Sequence, residues 1–156
     1  MPIQHVQDKQ PKVLLTPFWI IAATFIGIGD TMYLVYEKLH GVIPGCLILN
    51  GCERVLTSPY SVVFGVPLAD IGLVFYIYML AMGVLLAIDP TSKGLRFGVV
   101  AYATIGLAFS VFFELFQYFV IGALCQYCAI SALTTLILFC LAVWHYVSTK
   151  PATIIL

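Results

Sequence analysis

The chain has 156 residues, of which 62% are hydrophobic and only 9% charged. A soluble domain carries about 25% charged residues, so this chain cannot cover a water-facing surface. Seven Lys and Arg balance seven Asp and Glu, which excludes the basic stripe of a nucleic-acid binder and any strong field toward an anionic partner.

What remains is an integral membrane protein forming a single domain. Lipid offers no hydrogen bonds to a bare backbone, so its spans are helices or a closed barrel. The apolar runs here are long and unalternating, which predicts helices. The expected fold is all-α: a four-transmembrane-helix bundle with a long outer loop between the first two helices.

The first predicted span covers about 13–36, with Asp30 its one full charge. Its apolar stretch exceeds a signal-peptide core, and no small-residue cleavage site follows, so it reads as an uncleaved span. A loop of 30 residues, 37–66, comes next. Tyr60, Val62, Val63, Phe64 and Val66 make it too apolar for a solvated linker. It is expected to lie on the membrane surface, with a short helix after Ser58-Pro59. The second span covers about 67–88, with Asp70 near its start. Asp89-Pro90-Thr91-Ser92 then breaks the chain. The third span covers about 95–121 and contains Glu114, and the fourth covers about 124–147. Each is long enough for a hydrocarbon core about 30 Å thick. Ile121-Gly122-Ala123 alone separates the last two, which makes them antiparallel neighbours.

Lys and Arg collect on the cytoplasmic side of membrane proteins. Lys9, Lys12, Lys93, Arg96 and Lys150 fall on one side of the predicted bundle, and Lys38 and Arg54 on the other. Both termini are therefore expected in the cytoplasm. The long loop and the start of the fourth helix face the periplasm or exterior. The expected location is the cytoplasmic (inner) membrane, crossed several times.

Four of the five cysteines map to that outer face, which is an oxidising compartment in bacteria, as is the lumen of the endoplasmic reticulum. Cys125-Gln126-Tyr127-Cys128 places two sulfurs on one face of a helix. In a first turn they would meet the positive end of the helix dipole, which favours thiolate, the nucleophile of disulfide exchange. A structural disulfide and a zinc half-site are the alternatives. Cys46 and Cys52 flank the turn signal Asn50-Gly51, so they can meet as a loop disulfide, whether structural or exchanging. Cys140 lies about 18 Å deeper along the fourth helix and reads as a small buried hydrophobe without a role.

Two dithiol/disulfide pairs on one side can form a relay from a soluble protein thiol, through the loop pair, to C-x-x-C. The terminal acceptor must be reachable from the membrane, and a lipid-soluble quinone of ubiquinone or menaquinone type fits. His5, His40 and His145 are scattered, so no metal site is expected. Phe109, Phe112, Phe113 and Phe116 follow i, i+3, i+4, i+7 on one face of the third helix. That stripe is either bundle core or the wall of a quinone slot. Quinone reduction consumes protons, so Asp30, Asp70 and Glu114 are candidate donors, with interfacial capping as the alternative.

The stretch from Gly51 to Pro67, Gly-Cys-Glu-Arg-Val-Leu-Thr-Ser-Pro-Tyr-Ser-Val-Val-Phe-Gly-Val-Pro, resembles the loop of prokaryotic vitamin K epoxide reductase homologues. So do Asp30-Thr31 and Tyr33-Leu34, the Cys46/Cys52 spacing and the outer C-x-x-C. The resemblance covers nearly the whole chain. It implies a four-helix bundle around a quinone and a set of roles. Cys46 exchanges with the partner protein, Cys52 passes electrons to Cys125, Cys128 lies next to the quinone, and Ser58 supports the centre.

Vertebrate members hold naphthoquinone with an Asn and a Tyr, at positions that correspond to Leu68 and Ala132 here. That departure favours the bacterial role, reoxidation of a thiol protein, over quinone or epoxide reduction of vitamin K. Many bacterial homologues carry a fused thioredoxin-like domain. The end of this chain at Leu156 implies a separate partner of thioredoxin or DsbA type. The competing readings are a soft-metal transporter, whose thiols would also line the cytoplasmic side, and a structural protein with two static disulfides.

Overall fold

A computed structural model describes residues 10–149. His5, Lys9 and Lys150 lie outside the described residues. Among the described residues, four helices are long and apolar enough to cross a membrane. In chain order, α1 spans Gln10–Leu39 and the short α2 spans Cys52–Leu56. A 3-10 turn at Pro59–Ser61 follows, and then a two-stranded hairpin of β1 (Val62–Val63) and β2 (Val66–Pro67). The chain continues as α3 (Leu68–Ile88), α4 (Lys93–Phe116), a π turn (Gln117–Ile121) and α5 (Gln126–Ser148). The 3-10 turn occupies the place expected for a short helix after Ser58-Pro59. The loop carries more structure than its sequence suggests, because α2 and the hairpin are each too short to leave a periodic pattern.

Long side chains such as Phe18, Trp19, Phe25, Val74, Ile77, Leu133 and Trp144 point outward from the bundle. The interior uses smaller or satisfied groups. Helices in lipid lack a hydrophobic drive to associate and rely on close packing. Here Gly27 lies under the Tyr76 ring and Gly106 under the Phe75 ring, where a Cβ would collide. The buried hydroxyls of Thr24, Thr31, Thr134 and Thr135 bond carbonyls in their own helices, so they enter the core without an unpaired donor. Tyr76 of α3 joins the carbonyl of Ser131 at 2.9 Å and the hydroxyl of Thr135 at 3.1 Å, tying α3 to α5. The core around it includes Ile20, Met79, Leu86, Val99, Ala103 and Leu138. α1 packs along α3 and α5, and α4 along α5.

At the Asp89 end, the Asp89 carboxylate accepts bonds from the Thr91 backbone and hydroxyl, closing the turn between α3 and α4. Arg96, counted from the sequence among the charges at this end, has a structural role as well. It is buried, and its guanidinium donates to the carbonyls of Tyr146 at 2.7 Å and Thr149 at 3.2 Å. These carbonyls belong to the last turn of α5, which no intrahelical N–H reaches. A cation at a helix C-terminus also meets the negative end of the dipole. The opposite end of the bundle, where α1 and the π turn finish and α3 and α5 begin, carries the loop.

Candidate redox site

Cys46, Cys52, Cys125 and Cys128 come together at the loop end of the bundle. Cys46 and Cys52 form a disulfide with their Cα atoms 5.6 Å apart. Asn50-Gly51 makes the turn that returns the chain to Cys52, the first residue of α2. Gly51 does not supply a positive φ there; its φ is −106°. It is needed for a close approach, because a Cβ at Gly51 would run into the backbone of Leu124. That contact seats the loop against the residue before Cys125. As a result the Cys125 sulfur lies 3.7 Å from the Cys52 sulfur. Both residues are sealed from solvent, at 0% and 1% exposure, in a cluster with Val55. Cys46 is half-buried and lines a surface hollow with Pro44, Gly45, Asn50, Glu53 and the edge of Cys52. One sulfur of the disulfide therefore faces outward and the other faces the bundle.

C-x-x-C is placed by the turn between α4 and α5. Gly122 takes a left-handed conformation (φ 67°), open to glycine at no steric cost. Cys125 is the N-cap of α5 rather than a residue of its first turn, and Cys128 is in that first turn. The fourth helix thus begins slightly later than expected. Gln117, buried in the π turn, accepts the Cys125 N–H at 3.0 Å, and its side chain also bonds Cys128. Gln117 was missed in the sequence. A single amide in the apolar run Leu115-Phe116-Gln117-Tyr118-Phe119 was the available signal.

The activation expected from the helix dipole is present but takes second place. The thiol hydrogen bond from Cys128 is the main cause that holds Cys125 down to about 7, and the N–H groups of Cys128 and Tyr127 assist. Burial pushes the other way. Hydrogen bonds that favour the charged form lower a thiol's pKa, so the Cys125 thiolate is present above this value and lost as pH falls through it. The ultraviolet absorbance of the thiolate, taken as the difference from Cys125→Ser, is expected to titrate with a midpoint of about 7. A midpoint at the ordinary thiol value of about 8.5 would contradict the hydrogen bonding described here.

The remaining predicted site residues are more dispersed. The Ser58 hydroxyl donates to the carbonyl of Val55 at 2.8 Å. It closes the end of α2, so it reaches the cysteines only through the Val55 contact. The Phe109, Phe112, Phe113 and Phe116 rings touch in succession along α4, and Phe116 meets Tyr60 at 5.0 Å. They are not plain core: Phe109 is 60% exposed and Phe112 57%. Leu68 is the half-buried first residue of α3, and Ala132 lies half-buried one turn beyond Cys128. Asp70 occupies the first turn of α3. Glu114 acts electrostatically on Cys128, and Asp30 on Cys125 and Tyr76. One carboxylate oxygen of Asp30 is buried without a hydrogen bond. Cys140 lies apart from the others, and the buried position expected for it is corrected: it is exposed on the outer surface of the bundle.

Together the fold and the site define a class, the helical membrane bundles with two cysteine pairs gathered at one end. Residues 18–143 match the model of the vitamin K epoxide reductase family, and the chain belongs to that family. The thiol-disulfide oxidoreductase LTO1 of Arabidopsis thaliana is 36% identical over 121 residues, which cover 73% of this chain and 32% of that protein. The chain therefore spans about a third of the length of that relative.

Proposed function

We propose that the protein is a membrane thiol:quinone oxidoreductase that reoxidises a thioredoxin- or DsbA-like partner and so supports disulfide formation outside the cytoplasm. The approach of Cys125 to Cys52 carries this reading. At 3.7 Å a thiolate on one residue is positioned to attack a disulfide that involves the other, so electrons can cross between the pairs without a diffusing carrier.

In the forward direction the partner's thiolate attacks Cys46, opens Cys46–Cys52 and forms a mixed disulfide. The partner's second thiol resolves it, leaving the partner oxidised and the loop pair as two thiols. Exchange through Cys52–Cys125 then re-forms Cys46–Cys52 and leaves Cys125 and Cys128 reduced. A quinone held beside Cys128 would supply the sink for two electrons and two protons. The aromatic face formed by exposed Phe109 and Phe112 with half-buried Phe113 and Phe116 fits an apolar ring that enters from lipid. Leu68 and Ala132 add only apolar contact. Gln117 orients Cys128, Ser58 keeps α2 closed, and Asp30 and Glu114 are acids whose charge bears on Cys125 and Cys128. The orientation follows the distribution of Lys and Arg, with both termini cytoplasmic and the loop end outside.

The test uses the protein in lipid nanodiscs with a reduced thioredoxin-like protein and a short-chain ubiquinone or menaquinone. One quinone is expected to be reduced per partner disulfide formed, read as loss of oxidised-quinone absorbance against thiol titration. Partner thiols that stay reduced while the quinone spectrum is unchanged would overturn the reading.

A further inference from the structure

The segment that carries Cys46 is held by the two residues between the C-x-x-C cysteines. The Gln126 side-chain oxygen accepts the backbone N–H of Leu47 at 3.1 Å and of Ile48 at 2.9 Å. The Tyr127 hydroxyl donates to the carbonyl of Gly45 at 3.2 Å. The Tyr127 ring in turn rests on Tyr33 of α1, with ring centroids 5.5 Å apart. Cys46 is thus bracketed on both sides by bonds from the helix that bears Cys125 and Cys128. Packing contributes little to holding this stretch, since Leu47 is 90% exposed and Ile48 81%. One acceptor oxygen serving two successive backbone donors is a specific arrangement, which an apolar residue of the same size could not reproduce.

We propose that Gln126 and Tyr127 are positioning residues, a latch that holds Cys46 beside Cys52 while electrons cross to Cys125 and leaves the outward side of Cys46 accessible to its partner. The proposal rests on the relay reading above. In the exchange, Cys52 thiolate attacks Cys125 of the Cys125–Cys128 disulfide, forming Cys52–Cys125 and releasing Cys128 as thiolate. Cys46 thiolate then attacks Cys52, re-forming Cys46–Cys52 and releasing Cys125. Two electrons pass from the loop pair to the bundle pair, and the two protons of the loop thiols pass to the thiolates produced. The second attack needs Cys46 held within reach of Cys52. A Cys46 segment free to swing would leave Cys52–Cys125 unresolved.

The latch makes a prediction that a general structural role does not. Gln126→Met keeps the length of the side chain and removes the acceptor. During turnover with a reduced partner and quinone, the Cys52–Cys125 disulfide is expected to accumulate, read by peptide mapping after rapid alkylation. The rate should fall roughly tenfold, as for the loss of one to two net hydrogen bonds. Gln126→Glu keeps an oxygen acceptor for both N–H groups and should restore resolution. Tyr127→Phe should show a smaller accumulation. Reduction of Cys46–Cys52 by a small dithiol should not slow in Gln126→Met, since the latch does not guard that entry.

Wild-type resolution in Gln126→Met, with no Cys52–Cys125 accumulating, would overturn the latch and leave the relay standing. So would equal losses in Gln126→Met and Gln126→Glu, since the acceptor oxygen would then not matter. Normal turnover in Cys52→Ser would overturn the relay itself and the latch with it.

Discussion

Replacing Cys52 by Ser is expected to lower electron transfer from partner to quinone by at least about three orders of magnitude, the scale seen when a nucleophile is removed, and to trap the partner on Cys46. A hydroxyl at this position cannot form Cys52–Cys125, so the bundle pair receives nothing. Cys46 loses the neighbour that closes the loop disulfide, and a bond formed between Cys46 and the partner's attacking cysteine has no resolving thiol on this chain. A partner variant that keeps only its attacking cysteine, supplied as its mixed disulfide with a small aromatic thiol, makes the adduct permanent: the Cys46 thiolate attacks the partner's sulfur and the small thiol leaves. The geometry gives the trap a direction. Both loop cysteines border the surface hollow, but Cys46 is only half-buried there, whereas Cys52 is 1% exposed and packs against Val55 and Cys125. Only Cys46 is open to a protein-sized reactant. Ser is close to Cys in volume, so the buried cluster keeps its packing and the loss reports chemistry rather than collapse. Non-reducing electrophoresis and mass spectrometry of the adduct check this outcome. An adduct that forms in Cys46→Ser and not in Cys52→Ser would reverse the roles assigned to the two loop cysteines.

The bundle was legible because lipid leaves a chain of this composition few choices. Long unalternating apolar runs gave the four spans, and the Asp89-Pro90 break fell where α3 ends. The convergence of four cysteines at one end followed from counting crossings. The Asn50-Gly51 turn was legible as a turn, but the reason for its glycine was not. Gly51 answers to Leu124, more than seventy residues away, and no local pattern carries that information. Gln126 and Tyr127 were hidden for the same reason. They read as the variable middle of a C-x-x-C, whereas their partners are backbone groups of the distant loop. Arg96 was counted by its charge and found to be a cap on α5, since a cation near a helix end serves topology and capping alike. The aromatic stripe on α4 was placed on one face correctly, but periodicity cannot tell whether a face meets another helix or the lipid.

Gly51→Ala should separate the two redox pairs while leaving each intact. A methyl group at this position meets the carbonyl oxygen and the nitrogen of Leu124. These are backbone atoms that cannot rotate aside, so the start of α2 must move away from the α4–α5 turn. Cys52 is the next residue, and the 3.7 Å separation of its sulfur from Cys125 absorbs the displacement. Misplacement by about 1 Å can cost a reaction of this kind about a hundredfold, and transfer from the loop pair to C-x-x-C is expected to fall by about that factor. The loop disulfide should still form, because the turn from Cys46 to Cys52 does not depend on Leu124. Reduction of that disulfide by a small dithiol should proceed as before, and the Asp89 end of the bundle should be untouched. Gly45→Ala is the matching control. Its Cβ meets nothing within 4 Å, so it should transfer electrons at the normal rate. Rapid mixing of the fully oxidised protein, both pairs closed, with a small dithiol that reduces the loop pair, quenched by alkylation at successive times, reads the step as the delayed appearance of Cys125 and Cys128 thiols. If Gly51→Ala transferred as fast as Gly45→Ala, the contact with Leu124 would not be what sets the distance between the pairs.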